Sequence, residues 1–355
     1  MTPSAVFDPH HANIVGEIQS LPKIDLHRHL EGSLRLGTMQ EIVAAYDLDL
    51  PASVDELQPM VQMVAGDPRS APVFLAKFKI IRQFFPNPEI IQRHVEEVIE
   101  DAALDGVELL ELRFTPAALR QASGLPLHEL MDAVLASSQA AAANHRVTLG
   151  LIVSVNRHES LDLAEEVVRL AVDRMPAGIL GVDLAGDEQT YSADPFIALF
   201  AEAKQAGLNV TIHAGEWGGP ERVAHAVGVM AADRIGHGVR CLEDPAVVQL
   251  ARAAGVGFEV SLSSNLQTGV FREAEGHPLA EMIEAGLRVA VTTDDPSIFG
   301  TTLSAEHVYA IEHLGLSLET IKGLTLQALQ LSFVDPKVKR KLEARLRQCF
   351  WGSGV

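Results

Sequence analysis

The stretch Leu208-Asn209-Val210-Thr211-Ile212-His213-Ala214-Gly215-Glu216 decides the reading of the fold. Residues 208–212 form a short, mostly apolar run that reads as a buried β-strand. It ends on a histidine, and a carboxylate follows three residues later, so a metal ligand would stand beside a proton carrier. Alone this is a weak signal. Four other strand-like runs lead into polar or ionisable groups in the same way. Ile24-Asp25-Leu26 precedes His27-Arg28-His29, and Arg234-Ile235-Gly236 precedes His237-Gly238. Phe258-Glu259-Val260 precedes Ser261-Leu262-Ser263-Ser264-Asn265, and the run ending Thr292-Thr293 precedes Asp294-Asp295-Pro296. Polar groups at the same end of several apolar strands are what an active site at the mouth of a parallel barrel requires.

Outward from this stretch, strand and helix patterns alternate. Strands are expected over 23–26, 107–114, 147–155, 179–184, 208–212, 234–236, 256–260 and 287–293. Helices are expected over 36–46, 89–104, 126–144, 161–174, 194–206, 220–231, 245–254 and 278–285. A tail of two or three helices is expected over 304–348, with Pro336 breaking one of them. Residues 51–85 read as a helix-rich insertion after the first strand. Phe74, Phe78, Ile81 and Phe85 share a helical spacing there, as a core-facing stripe or as an apolar wall over the pocket. Alternating strands and helices imply a parallel sheet, and eight strands imply closure. The expectation is an α/β chain, a (β/α)₈ TIM barrel with a helical insertion after the first strand and extra C-terminal helices. It is read as one domain over 1–355, with 1–20 as an N-terminal arm.

Composition sets the bounds. The chain has 355 residues, 47% of them hydrophobic, enough for one large barrel with insertions. Lys plus Arg total 28 against 47 for Asp plus Glu, a formal charge of -19. That field disfavours nucleic acid and anionic membranes as partners. It also disfavours a polyanionic substrate unless a local basic pocket exists. Aromatics are only 5%, which argues against stacking platforms for nucleic acid. The two cysteines, Cys241 and Cys349, support neither a disulfide framework nor a thiolate metal site. Residues 1–9 lack a basic and apolar leader pattern, and no apolar run reaches the length of a membrane span, so a reducing cytoplasm is the expected setting. His10 and His11 read as incidental.

Along a strand, residues two apart share a face, so His27 and His29 can reach one cation. Closure of the barrel would bring His213 and Asp294 to them. Three imidazoles and a carboxylate form a nitrogen-rich set suited to zinc with a position open for water. His94, His145, His225, His277, His307 and His313 lie in or beside expected helices and read as solvated. His158 is a candidate for the pocket rim, and Cys241 reads as structural.

With these residues in place, the sequence resembles the adenosine deaminase family of metal-dependent hydrolases. The resemblance is carried by Leu21-Pro22-Lys23-Ile24-Asp25-Leu26-His27-Arg28-His29-Leu30-Glu31-Gly32-Ser33, Asp183-Leu184-Ala185-Gly186-Asp187-Glu188, His213-Ala214-Gly215-Glu216, Arg234-Ile235-Gly236-His237-Gly238, Ser264-Asn265-Leu266-Gln267-Thr268-Gly269 and Thr293-Asp294-Asp295-Pro296, in family order. It implies one zinc per chain on His27, His29, His213 and Asp294. It implies Glu216 as the acid near purine N1, and His237 as the base or electrostatic partner of the attacking oxygen. Gly186 would meet purine N3 through its backbone N–H, Asp295 would meet N7, and Glu31 the sugar. The implied reaction is hydrolytic deamination of adenosine or deoxyadenosine, a small-molecule purine nucleoside substrate. The alternatives are the same chemistry on adenine or on a 5′-modified adenine nucleoside, or, more remotely, another amidohydrolase reaction or a catalytically inactive binding module. A phosphorylated nucleotide is disfavoured because the sequence shows no clustered basic loop. Two positions depart from the common family pattern. Ser261-Leu262 stands where Cys-Pro is frequent, and Glu31 where many adenosine-specific members carry Asp.

Overall fold

A computed structural model describes residues 9–273 and 276–352, with side chains from residue 13 onward. Eight strands run in chain order around one sheet: β1 (Lys23–His29), β2 (Val107–Phe114), β3 (Thr148–Asn156), β4 (Ile179–Ala185), β5 (Asn209–Ala214), β6 (Arg234–His237), β7 (Gly257–Val260) and β8 (Arg288–Val291). Every neighbouring pair is parallel. The seam between last and first strand is stitched by a bridge between Arg28 and Asp294. There the His29 N–H donates to the Asp294 carbonyl at 2.8 Å and the Asp294 N–H donates to the His27 carbonyl at 2.7 Å. The closure that the strand count implies is therefore made by the residues expected to carry the chemistry. With helices between the strands, the architecture is a (β/α)₈ TIM barrel.

Element boundaries differ from the sequence reading where function begins. β1 continues to His29, β5 to Ala214 and β6 to His237, so the four histidines expected beyond their strands, His27, His29, His213 and His237, stand within them. β8 stops at Val291, and Asp294 lies beyond it with a φ of 62°, in the left-handed region that non-glycine residues seldom occupy. Helices Pro116–Ser123, Leu262–Gln267 and Pro296–Phe299 fill segments read as connections. Pro336 breaks no helix but opens the last one, Pro336–Trp351, at a position where its missing N–H costs nothing. The N-terminal arm is a helix over Pro9–Ser20 whose Ile18 is fully buried. The side chains of His10 and His11 lie outside the described residues, as do residues 1–8. No helix among the described residues is long and apolar enough to cross a membrane.

The barrel interior is ionic where an apolar filling is usual. Strand alternation sends Glu111 and Arg113 of β2, Asp183 of β4, Arg234 of β6 and Glu259 of β7 inward, all buried. Arg113 pairs with Glu259 at 2.9 Å and Asp183 at 3.3 Å, and Arg234 pairs with Glu111 at 2.6 Å and also with Glu259. Buried charges are tolerable only when paired and hydrogen-bonded, and each of these is paired. The apolar core lies outside the strands, against the helices.

Candidate active site at the mouth of the barrel

One cavity of about 360 Å³ opens at the C-terminal ends of the strands. It is lined by His29, Glu31, Gly186, His213, Glu216, His237, Asp294 and Asp295, and His27 lies against them beneath its floor. The nine residues singled out in the sequence are thus gathered at one place. Phe74, Leu75 and Phe78 of the Ala71–Ile81 helix form part of its wall. The aromatic stripe of that helix divides: Phe74 and Phe78 face the cavity, while Ile81 and Phe85 are buried in the core.

At the floor, His27 Nε2 lies 3.2 Å from His29 Nε2 and 3.2 Å from Asp294 Oδ1, and His29 Nε2 lies 3.4 Å from the same oxygen. Ligands held ~2.0–2.1 Å from a tetrahedrally coordinated ion stand about 3.3 Å apart, so these spacings suit one. The rings of His27 and His213 are 4.7 Å apart between centroids. Their other nitrogens are engaged: His27 Nδ1 meets Glu259 at 2.8 Å and His213 Nδ1 meets Asp183 at 3.0 Å. A carboxylate on Nδ1 fixes the proton there and turns the Nε2 lone pair toward the centre, the usual support of a metal-bound imidazole. The ion-bearing barrel interior is therefore the outer support of the histidine cluster.

Donor atoms of His27, His213, His237 and Asp294 also lie within 4.8 Å of one another. His237 nevertheless differs from the others through its neighbours. The Leu279 N–H donates to His277 Nδ1 at 3.2 Å, so the proton of neutral His277 is on Nε2, which donates to Asn265 Oδ1 at 3.2 Å. That turns the Asn265 amide N–H toward His237 Nδ1, 3.1 Å away. His237 therefore accepts at Nδ1 and, when neutral, carries its proton on Nε2. Burial, together with His27 and His213, holds its pKa well below the usual range, against the pull of Asp294 and Glu259. A protonated Nε2 has no lone pair for a cation, which leaves His29 the better fourth donor. His237 Nε2 lies 3.6 Å from Glu216 Oε2 and its backbone φ is 61°. His277, read as solvated, is buried, and so are His94 and His307. Helix flanks told nothing of which face those histidines occupy.

Glu216 follows β5 on a turn wrapped around another carboxylate. Glu188 accepts from the N–H groups of Gly215 at 2.9 Å and of Glu216, Trp217 and Gly218, each at 2.8 Å. This nest of N–H groups aims Glu216. The sequence reading quoted Glu188 within a motif but gave it no role. Four of its partners lie about thirty residues away, and nothing local signals them. Burial first, then Asp294 and Glu188, raises the Glu216 pKa well above the carboxylate range, so its protonated form persists. Burial, Asp294, Glu31 and Glu216 do the same at Asp295.

Asp295 lies directly over Gly32: a Cβ there would fall 1.6 Å from Asp295 Oδ1, an atom that has no hydrogen-bond partner. Gly186 has a φ of 93°, and a Cβ would meet nothing nearer than 3.4 Å, so backbone conformation constrains it more than space does. Glu31 is on a short 3₁₀ turn and is buried. Its Oε1 accepts from the Thr115 N–H at 2.8 Å and its Oε2 has no partner. His158 lines the cavity, as expected of a rim residue, and Cys241 is buried with its thiol pushed up to about 12. The sequence shows no clustered basic loop, yet two cations reach the cavity. Lys79 and Arg82, three residues apart at the end of the insertion helix, line the cavity together with His158, whose pKa burial lowers; that the two cations face the cavity is decided by the fold.

Fold and site together define the class: a barrel hydrolase that works at the C-terminal mouth of its strands. The chain matches the sequence model of the family described as adenosine deaminase over residues 22–349, and it belongs to the adenosine deaminase family. It is 35% identical over 329 residues to an adenosine deaminase of Klebsiella pneumoniae, covering 92% of this chain and 98% of that one. Among solved structures it is similar to the adenine deaminase of Arthrobacter aurescens, with a TM-score of 0.86, 27% identity, and coverage of 93% of this chain and 99% of that chain. It is also similar to the N6-methyl-AMP deaminase of Arabidopsis thaliana, with a TM-score of 0.82, 27% identity, and coverage of 94% and 98%. The chain is thus an aminohydrolase of the purine-deaminase type.

Proposed function

We propose that the protein catalyses metal-dependent hydrolytic deamination of a 6-aminopurine nucleoside of the adenosine or deoxyadenosine type, releasing ammonia. The observation that carries this reading is the meeting of His27, His29, His213 and Asp294 with a buried Glu216 in one cavity. The donors fit a metal. Two Nε2 atoms face each other at 3.2 Å beside a carboxylate oxygen, and two of the rings are braced from behind by carboxylates. Three imidazole nitrogens and one oxygen favour zinc among divalent cations. When bound, such a cation lowers the pKa of a ligand water toward ~7 and so supplies a nucleophile at neutral pH.

The remaining work falls to the chain's own residues. His237, with its proton on Nε2, donates a hydrogen bond to the attacking oxygen and holds it in line with purine C6. This favours the electrostatic role over that of a base. Attack at C6 moves an electron pair onto N1, and protonated Glu216 delivers its proton there. The adduct's hydroxyl proton passes through the Glu216 carboxylate to the amino group, the C6–N bond breaks, the amino group leaves as ammonia and the 6-oxo product remains, while the other proton of the attacking water restores protonated Glu216. The Gly186 N–H faces purine N3, and protonated Asp295 donates to N7. Glu31, with one oxygen spent on Thr115 and the other free, accepts from a sugar hydroxyl.

Glu216→Gln keeps the shape and removes the proton. The variant is expected to retain metal and bind purine while kcat falls by roughly 10²–10⁴-fold. The readouts are ultraviolet loss of the 6-amino chromophore, ammonia release and elemental analysis. A kcat within a few-fold of the parent would remove Glu216 from the N1 role.

A further inference from the structure

Resting on the deaminase reading above, we propose that the substrate carries an acidic group, phosphate or carboxylate, beyond its sugar, and that Arg82, with Lys79 beside it, receives that group. The Ala71–Ile81 helix and the turn after it send five side chains to the cavity. Three are apolar: Phe74, Leu75 and Phe78. The last two, Lys79 and Arg82, are cations. Leu75, Lys79 and Arg82 follow one another at helical spacings of four and three and so form one stripe. It begins apolar and ends in positive charge.

Arg82 is half-buried, and its Nε is buried with no hydrogen-bond partner. A guanidinium has five N–H donors in a fixed fork, and leaving one buried and unpaired is unfavourable. Neither Arg82 nor Lys79 forms an ion pair among the described residues. The C-terminal end of a helix attracts cations in any protein. That accounts for a charge at this end, but not for a guanidinium turned into the cavity with an N–H unspent. A neutral nucleoside gives it no partner of full charge. An anion does, with bidentate geometry available.

The field of the whole molecule points the same way. A chain with a formal charge of -19 repels an anionic ligand unless local cations offset that repulsion. Two such cations, Lys79 and Arg82, line this cavity. Arg82 is in electrostatic reach of Glu31, whose unpartnered oxygen is available to a sugar hydroxyl. The acidic group would therefore be attached just beyond the sugar. Tyr191 and Phe78, which also line the cavity, give an organic linker apolar surface.

A competing role for Arg82 is simply to balance the carboxylates of Glu31 and Glu159, both within its electrostatic reach, and the experiment separates that role from anion binding. The full metal-loaded chain is assayed with adenosine, adenosine 5′-monophosphate and an adenosine bearing a 5′-linked aryl carboxylate. At least one acidic compound is expected to exceed adenosine in kcat/KM by about tenfold or more, the scale of a hydrogen bond to a charged group. Arg82→Gln is expected to cost that compound at least about tenfold more than it costs adenosine, chiefly in KM, with partial recovery in Arg82→Lys. Whichever acidic compound wins identifies the anion. Calorimetry of inosine 5′-monophosphate against inosine gives the phosphate contrast without turnover. Adenosine outperforming both acidic compounds would overturn the proposal. Equal losses on acidic and neutral substrates in Arg82→Gln would also overturn it and leave Arg82 as the counter-charge of Glu31 and Glu159. If the parent chain turns over none of the three, the deaminase reading itself fails, and that failure shows before any variant is made.

Discussion

The floor and the roof of the cavity are built on different principles. The floor consists of strand ends, and each of its groups is held by several others. His27 is braced by Glu259, Glu259 by Arg113 and Arg234, His213 by Asp183, and His237 by a chain that ends on a backbone N–H of Leu279. The roof is one helix of the insertion. Phe74 stacks on Phe299 at 5.1 Å and meets Phe78 edge-on at 5.4 Å, while Lys79 at the rim is exposed. Buried networks have few alternative arrangements, whereas apolar contacts can be repacked. Under the proposed function, chemistry belongs to the floor and substrate choice to the roof, so variants on each side are expected to differ in kind as well as in size.

The largest effect is expected at the floor. His213→Ala should abolish both metal retention and turnover. Elemental analysis showing full metal occupancy, or activity that survives exhaustive chelation of the parent, would break the division. Next is Glu259→Gln, which removes the charge that Arg113 and Arg234 share. Leaving buried guanidinium groups short of a partner should destabilise the fold by about 3–5 kcal/mol, read by denaturant unfolding. A change below 1 kcal/mol would mean that the network is redundant.

Glu31 tests the join between floor and roof. Glu31→Ala should cost a nucleoside roughly 1.5–3 kcal/mol in kcat/KM and cost free adenine, which has no sugar, much less. Equal losses would make Glu31 a support of the whole site. The smallest effect concerns how the roof is pinned. His94 Nε2 donates to the Phe84 carbonyl at 2.8 Å, tying the end of the insertion to the Pro88–Leu104 helix. Burial lowers its pKa to about 4, against about 6.5 in the unfolded chain. Between those values the unfolded chain binds a proton that the folded chain refuses. The stabilisation is thus complete above pH 6.5 and fades as pH falls toward 4, by on the order of 1–2 kcal/mol at pH 5. Thermal unfolding between pH 7 and 5 measures it. His94→Gln should flatten the slope, and an unchanged slope would place the pH sensitivity elsewhere.

Much of the floor was legible because its signals are local. Strand periodicity located β2 to the residue, and the ends of the other strands fell close to their observed places. Histidines two apart on β1 declared a shared face, and the motif order tied distant strands to one family. The expectation of solvated histidines at 94, 277 and 307 failed because a helical position does not reveal which side is covered. Glu31 read as a loop residue, and burial behind Thr115 was not visible from its neighbours in sequence.

The sequence by itself determined the alternation of strands and helices, the polar groups at the strand ends and the family to which they belong. These depend on spacing along the chain, where periodicity speaks directly. Only the tertiary structure decided how those groups are held. Glu259 reaches His27 across 232 residues, and Thr293 donates to Asp25 across 268. It also decided that Glu188 would gather four N–H groups, that His237 would carry its proton on Nε2, and that Arg82 would turn toward the cavity. Each depends on which buried partner stands opposite, and only the folded chain, through strand pairing, closure and the packing of the insertion, brings those partners within hydrogen-bonding or electrostatic reach.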